Sequence, residues 1–389
     1  MTYGNYENEA AAGVDINTDI ATTPDTDATK MTNEAAVEAE GDIPAIKDGS
    51  TSRPKDSYST HGTAILGSPD AMKARAVLKK AIIGSARRDE SMIIADTTGE
   101  LFWESSDWLR TKGYNVRVLN LVNMEKSHSW NFLLDALKDA HENDVLSIVE
   151  NIASIITNSN NHGACDRDVF WDKGEKCLLK AIVLYQYYRW KAGLGEPLNF
   201  SSAYYFLLNN DVARIENKIK ELNHFFDINP ALSQFNILKH CGENHMSNFH
   251  SRLLSRLDIF IDPAVERITS GNLEDGIELL LPAKEKCAYF LITPNRDTAY
   301  NFFPCLFFAL FFVRVAKFAD TVGNGKCPVP VNCLLDEFFD IDEIPNFELK
   351  VATVHSRGVR VKQVQRKTPG FSYGDISRFF AQLNRKTGQ

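Results

Sequence analysis

The amino-acid sequence predicts an α/β fold: a parallel sheet flanked by helices, interrupted by an all-α insertion and preceded by a disordered acidic tail. Three observations carry that prediction. From Thr63 onward, short apolar runs ending in Gly or Asp alternate with stretches of helical spacing, the pattern of a helix-covered parallel sheet. Between residues 135 and 275 this alternation stops, and apolar residues recur only at helical intervals. Before residue 60 there is little apolar periodicity.

The tail, residues 1–60, is rich in Thr, Asp, Glu, Ala, Asn and Gly. Such a segment cannot bury enough surface to offset its ordering entropy. Its first 50 residues hold eleven Asp or Glu against Lys30 and Lys47, so the formal charge of −8 comes from the tail and the body is nearly neutral. A generic nucleic-acid binder would be strongly basic, so any DNA contact must come from a local strip. Apolar residues make up 44% and charged residues 24%, ordinary values for a globular protein. The seven cysteines (Cys165, Cys177, Cys241, Cys287, Cys305, Cys327, Cys333) form no Cys-x-x-Cys pair, and several sit in apolar runs. They read as reduced, buried thiols, not a disulfide or zinc framework. No signal peptide opens the chain, since Met1 is followed by polar and acidic residues.

In chain order, the first core segment (residues 61–134) starts with a strand at Thr63–Gly67 and a helix from Asp70 to about Ala86. A strand at Ser91–Asp96, a helix at Leu101–Lys112 and a strand at Tyr114–Leu121 follow. The insertion (residues 135–275) shows helical series such as Val145, Ile148, Val149, Ile152, Ile155 and Ile156. The second core segment (residues 276–389) resumes with a strand at Cys287–Thr293 and a long helix at Thr298–Ala319. It continues with strands at Val329–Asp336 and Val359–Val364 around a helix at Phe347–Arg357. The most apolar stretch, Phe302–Val315, is shorter than the roughly 20 residues a bilayer requires and reads as a buried helix.

Leu334-Leu-Asp-Glu-Phe338 ends an apolar strand with paired carboxylates. At the end of a core strand, Asp336 can hold Mg²⁺ through its waters and Glu337 can polarise an attacking water. The alternative is an ordinary strand end with acidic loop residues. The loop after the first strand reads Gly67-Ser-Pro-Asp-Ala-Met-Lys-Ala74. A Walker loop is Gly-x-x-x-x-Gly-Lys-Ser/Thr, with glycines for close amide approach, Lys for phosphate charge and a hydroxyl for the metal. Gly67 and Lys73 keep that spacing. Met72 replaces the second glycine and Ala74 the hydroxyl, while Pro69 removes an N–H and Asp70 adds a negative charge. His240, His245 and His250 do not share a helical face, which argues against a metal site. Arg252, Arg256, Arg214, Lys218 and Lys220 could touch DNA, although a solvated helix face explains them as well.

Read in order, further segments resemble the TraG/TraD-type coupling proteins of conjugative type IV secretion. They are Asp96-Thr-Thr-Gly-Glu100, Gly113–Leu121, Met124–His128 with Trp130-Asn-Phe132, Phe170-Trp-Asp-Lys173, Cys333–Phe338, Ile344-Pro345 and Ser356-Arg-Gly358. The resemblance spans about residues 62–365. It implies a RecA-like P-loop ATPase sheet working with ATP and Mg²⁺ in a homo-hexamer at the cytoplasmic face of the membrane. The implied partners are single-stranded DNA with its relaxase and the secretion channel, with substrate recognition in the helical domain. Gly67, Lys73, Asp96 and Gln365 then fall at cofactor-binding positions, Asp336 and Glu337 at the metal and water, and Arg357 toward a neighbouring subunit's nucleotide. The strand carrying Asp336 is expected beside the strand that feeds Lys73.

The chain departs from this family in several places. The family's membrane-spanning helices find no counterpart, its Pro-Lys has become Thr97-Thr98, and Gln363 and Gln365 are the nearest candidates for a glutamine expected near Arg366, without clean register. The chain also stops at Gln389, short of the family's last strand. With the altered loop, these departures weaken ATP and Mg²⁺ binding. A non-catalytic adaptor and a decayed remnant of a mobile element stand beside the coupling-protein reading.

Overall fold

The computed structural model describes residues 63–67, 71–158, 166–195, 197–271, 273–294, 298–322, 324–336, 344 and 346–366; the acidic tail lies outside them. The first core segment runs β1 (Thr63–Gly67), α1 (Ala71–Arg87), β2 (Ser91–Asp96), α2 (Glu100–Thr111) and β3 (Asn115–Asn120). The insertion follows as α3 (Phe132–Leu137), α4 (Glu142–Asn158), α5 (Asp166–Lys191) and α6 (Phe200–Leu208). It continues with α7 (Val212–Glu221), α8 (Pro230–Gly242), α9 (Met246–Leu257) and α10 (Pro263–Ser270). The chain returns through α11 (Leu281–Lys284) and β4 (Cys287–Ile292) to α12 (Phe302–Thr321). It then runs through β5 (Val331–Asp336), α13 (Phe347–His355) and β6 (Val359–Arg366).

All six strands are parallel, in the order β1-β6-β5-β2-β4-β3. Parallel strands covered on both faces are apolar throughout, and β2 and β4 are buried along their whole length. Alternate residues serve opposite faces. Met92, Ile94, Phe290 and Leu334 join α1 and α2 through Leu78, Ile82, Leu101 and Leu109. Ile93, Ala95, Tyr289, Leu291 and Cys333 join α12 and the insertion in one continuous core. The insertion therefore shares its interior with the sheet.

Helix α12 is longer than the apolar run suggested. It spans 20 residues and, among the described residues, is the one helix long and apolar enough to cross a membrane, with 83% of its apolar window buried inside the molecule. Its charges are accommodated within the fold. Arg314 donates to the Asp135 carbonyl, and Lys317 pairs with Asp144 at 2.6 Å.

Two places fix how the insertion leaves and rejoins the sheet. The edge strand β3 is capped by the segment after it: the Val118 carbonyl accepts from the His128 amide at 2.9 Å, and Ser127 Oγ accepts from the Asn120 amide at 2.9 Å. Outgoing and returning chains are then tied together. Ile277 N donates to the Ser129 carbonyl at 2.7 Å, Trp130 N to the Ile268 carbonyl at 2.7 Å, and Leu279 N to Asp135 Oδ2 at 2.9 Å. A Cβ on Gly271 would fall within 2.5 Å of Ser129, so glycine is needed for this close approach.

Candidate functional site

In a parallel sheet all strands finish at one edge, and ligands of open α/β folds gather in the crevice beyond it. Here that edge collects most of the sequence-predicted residues. Gly67 ends β1 and is in register with Arg366 of β6, and Gln365 is in register with Leu66. Asp336 ends β5 in register with Val364. Asp96 ends β2 level with Ile292, which is level with Asn120. Lys73 occupies the first turn of α1. Residues 68–70 and Glu337 lie outside the described residues.

One expectation needs correction. The Asp336 strand does not lie beside the Gly67 strand, because β6 runs between them. Two strand spacings separate β1 from β5, about 10 Å. The two strands still end on the same side, so Gly67 and Asp336 remain on one crevice. Neighbouring order was invisible in the sequence because the β5–α13–β6 crossover sets it, not any feature of β1.

Asp96 is the best-defined residue of this edge. Its carboxylate is fully buried and accepts from Gly99 N at 2.9 Å, Phe102 N at 2.9 Å and Thr98 Oγ1 at 3.4 Å. Burial raises its pKa, and these donors pull against that shift. Gly99, at φ 76°, supplies the left-handed turn into α2. The Asp96-Thr-Thr-Gly-Glu100 motif is thus a helix-capping turn, and the Asp96 carboxylate is occupied by its own loop.

Arg357 is not at this edge. It precedes β6, at the opposite end of the sheet, where Nε and Nη2 clasp Asp320 at 2.8 and 3.0 Å and Nη1 donates to the Thr353 carbonyl. The bonds it donates to Asp320 raise its pKa. Arg357 cannot reach its own chain's Gly67–Asp336 crevice.

The candidate DNA strip is largely tied up in ion pairs, although Arg214, Lys220 and Arg252 stay exposed. Glu175 is 0% exposed and binds Arg252 Nε and Arg256 Nε, the latter at 2.8 Å, while Asp172 faces both guanidiniums at 3.9 Å. Arg252 also lies over Trp171, within a cluster of Phe170, His245 and Phe249. Lys220 pairs with Glu216 and Arg214 with Asp211. His250 Nε2 lies at 3.0 and 3.1 Å from the Leu207 and Asn210 carbonyls, a structural arrangement. Sequence reasoning missed Glu175, although it follows Phe170-Trp-Asp-Lys173 by two residues; a carboxylate in an apolar helical stretch was the available signal.

With this architecture in view, the comparisons decide the family. Residues 59–367 match the family model for type IV secretory system conjugative DNA transfer. The chain belongs to that conjugative DNA-transfer family. No curated protein matches it closely. Among solved structures, the bacterial conjugative coupling protein TrwBΔN70 in a trigonal form with sulphate has a TM-score of 0.56 at 14% identity, covering 84% of this chain and 68% of that one. Its unbound monoclinic form has a TM-score of 0.54 at 13% identity, covering 86% and 68%. The plasmid coupling protein TrwB with ADP and Mg²⁺ has a TM-score of 0.52 at 12% identity, covering 84% and 68%. The sheet of this conjugative-transfer chain is therefore the RecA-like sheet of the coupling proteins.

The donor set of the family's nucleotide site is retained only in part. A glycine exit, a first-turn lysine and a strand-end Asp are present; the second glycine and the metal-binding hydroxyl are Met72 and Ala74. These residues fit Mg²⁺–ATP poorly, since Ala74 offers no oxygen to the metal and Pro69 no amide to the phosphates.

Proposed function

We propose that this chain acts as a coupling protein of a conjugative type IV secretion system with weakened ATP binding, linking relaxase-bound single-stranded DNA to the secretion channel. The observation that carries the reading is the convergence of Gly67, Gln365 and Asp336 on one edge of a family sheet. Lys73 and the first-turn amides of α1 would hold a triphosphate, Asp336 would hold Mg²⁺ through water, and Glu337 would face the attacking water. The helical insertion, residues 135–275, is the substrate-recognition module. A homo-hexamer at the cytoplasmic face of the membrane is the assembly in which Arg357, released from Asp320, could meet a neighbouring subunit's nucleotide.

Met72 and Ala74 favour a second reading, an adaptor that keeps the fold and its partners while turnover is lost. Calorimetric titration with ATP and Mg²⁺, paired with steady-state ATP hydrolysis, separates the two. The first reading expects weak saturable binding that Lys73→Ala abolishes. Heat and hydrolysis indistinguishable from buffer in both proteins would leave the adaptor.

A further inference from the structure

A cavity of about 340 Å³ opens beside α2 and the end of β3, on the same edge of the sheet as Gly67 but at its far side. Five strand spacings, about 24 Å, separate β3 from β1. Phe102 forms its inner wall, held edge-on to the core ring of Phe290 at 5.3 Å. Trp103 stands beside Phe102, 63% exposed, with Lys126 Nζ at 5.7 Å from its ring. Arg110 lies two α2 turns further on, paired with Asp107 at 2.6 Å.

Two buried polar groups complete the lining. Asn120 is 5% exposed and uses Oδ1 to accept from Val122 N at 3.0 Å and Asn123 N at 2.7 Å, which leaves Nδ2 without a protein partner among the described residues. Ser106 is 4% exposed, and its hydroxyl likewise has no partner among the described residues. Both residues are nearly buried but line the cavity, so the two unpaired polar atoms are available to a ligand there. An exposed indole offers a stacking surface, and Lys126 and Arg110 offer phosphate contacts. The surface pair Arg110–Asp107 is weak, and a phosphate can exchange with Asp107.

We propose that this cleft is a site for one nucleotide unit, either a free nucleoside monophosphate or one residue of a single strand. Its base stacks on Trp103, its phosphate lies between Lys126 and Arg110, and Asn120 and Ser106 bond its polar edge. The site is independent of the Gly67–Lys73 loop.

The test titrates the full chain with adenosine monophosphate and, separately, with a short oligothymidylate. Wild type is compared with Trp103→Ala, Trp103→Phe, Lys126→Glu and Lys73→Ala. Saturable binding of at least one probe is expected, weakened about tenfold or more by Trp103→Ala and by Lys126→Glu. Trp103→Phe retains part of it, and Lys73→Ala leaves it unchanged. Binding of the monophosphate assigns the site to free nucleotide; binding of the oligomer alone, falling with salt, assigns it to a strand. No binding of either probe, equal binding by Trp103→Ala, or loss in Lys73→Ala overturns the proposal. Trp103 and Lys126 side chains are surface groups, and matched melting curves confirm that the variants fold.

Discussion

Gly174 lies inside α5, where glycine is ordinarily the poorer choice by about 1 kcal/mol relative to alanine. Packing reverses that preference. An added Cβ would come within 2.5 Å of three ring atoms of Phe249, whereas carbon atoms settle at about 3.5–4.0 Å. The ring has no free direction, since Phe249 is fully buried and flanked by Phe170 at 5.6 Å and Trp171 at 5.4 Å. Overpacking a tight core costs about 1–3 kcal/mol, and an overlap exceeding 1 Å against a wedged ring belongs at the upper end of that range. Gly174→Ala is therefore expected to lose about 2 kcal/mol net after the helix-propensity gain. The assay is urea unfolding followed by tryptophan fluorescence, comparing midpoints at constant slope. Adding Phe249→Leu to Gly174→Ala should cost far less than the sum of the two single losses, because both act on one contact. A Gly174→Ala chain as stable as wild type, or more stable, refutes the packing argument and leaves propensity in control.

Three further outcomes follow from buried charges. Burial acts to raise the Glu90 carboxyl, but bonds from Arg88, Arg360 and Asn332 outweigh it and hold the pKa at about 2. That stability is present above the ordinary carboxylate pKa of about 4.5 and is lost as pH falls toward 2. It amounts to about 3 kcal/mol, and an acid titration should show that Glu90→Gln lacks the loss. Asp135 behaves oppositely: complete burial raises its pKa to about 6 despite the Arg314 charge. Its contribution is present below about 3.8 and lost as pH rises through 6, so Asp135→Asn should gain on wild type between pH 4 and 7.5. A stability difference that does not change with pH would refute this. Finally, Arg256→Ala should destabilise by about 3 kcal/mol, because it leaves Glu175 half-paired in the interior. The salt dependence of any DNA binding should stay unchanged; a reduced slope would return Arg256 to the DNA interface.

The sheet was legible because its strands are short apolar runs with Asp or Gly at their ends, and parallel strands buried on both faces leave that imprint. Asp336 and Gly67 could be placed on a common edge for the same reason. The interposition of β6 was not legible, since strand order depends on which side a crossover closes. Nor was the pairing of Arg252 and Arg256 with Glu175, because partners 77 and 81 residues apart meet only when α5 and α9 pack. On a helical wheel those arginines look like a solvated face or a DNA contact. Asp96 was read as part of the cofactor edge because its position was visible, whereas the local donors that occupy its oxygens were not.

The doubled stem at the root of the insertion has a mechanical meaning. A single-stranded tether would let the helical body pivot as a loose flap. Here the two passing segments are stitched at Ser129–Ile277, Trp130–Ile268 and Asp135–Leu279. A displacement of the bundle therefore bears on the exit of β3 and the entry to β4 together, not on one of them alone.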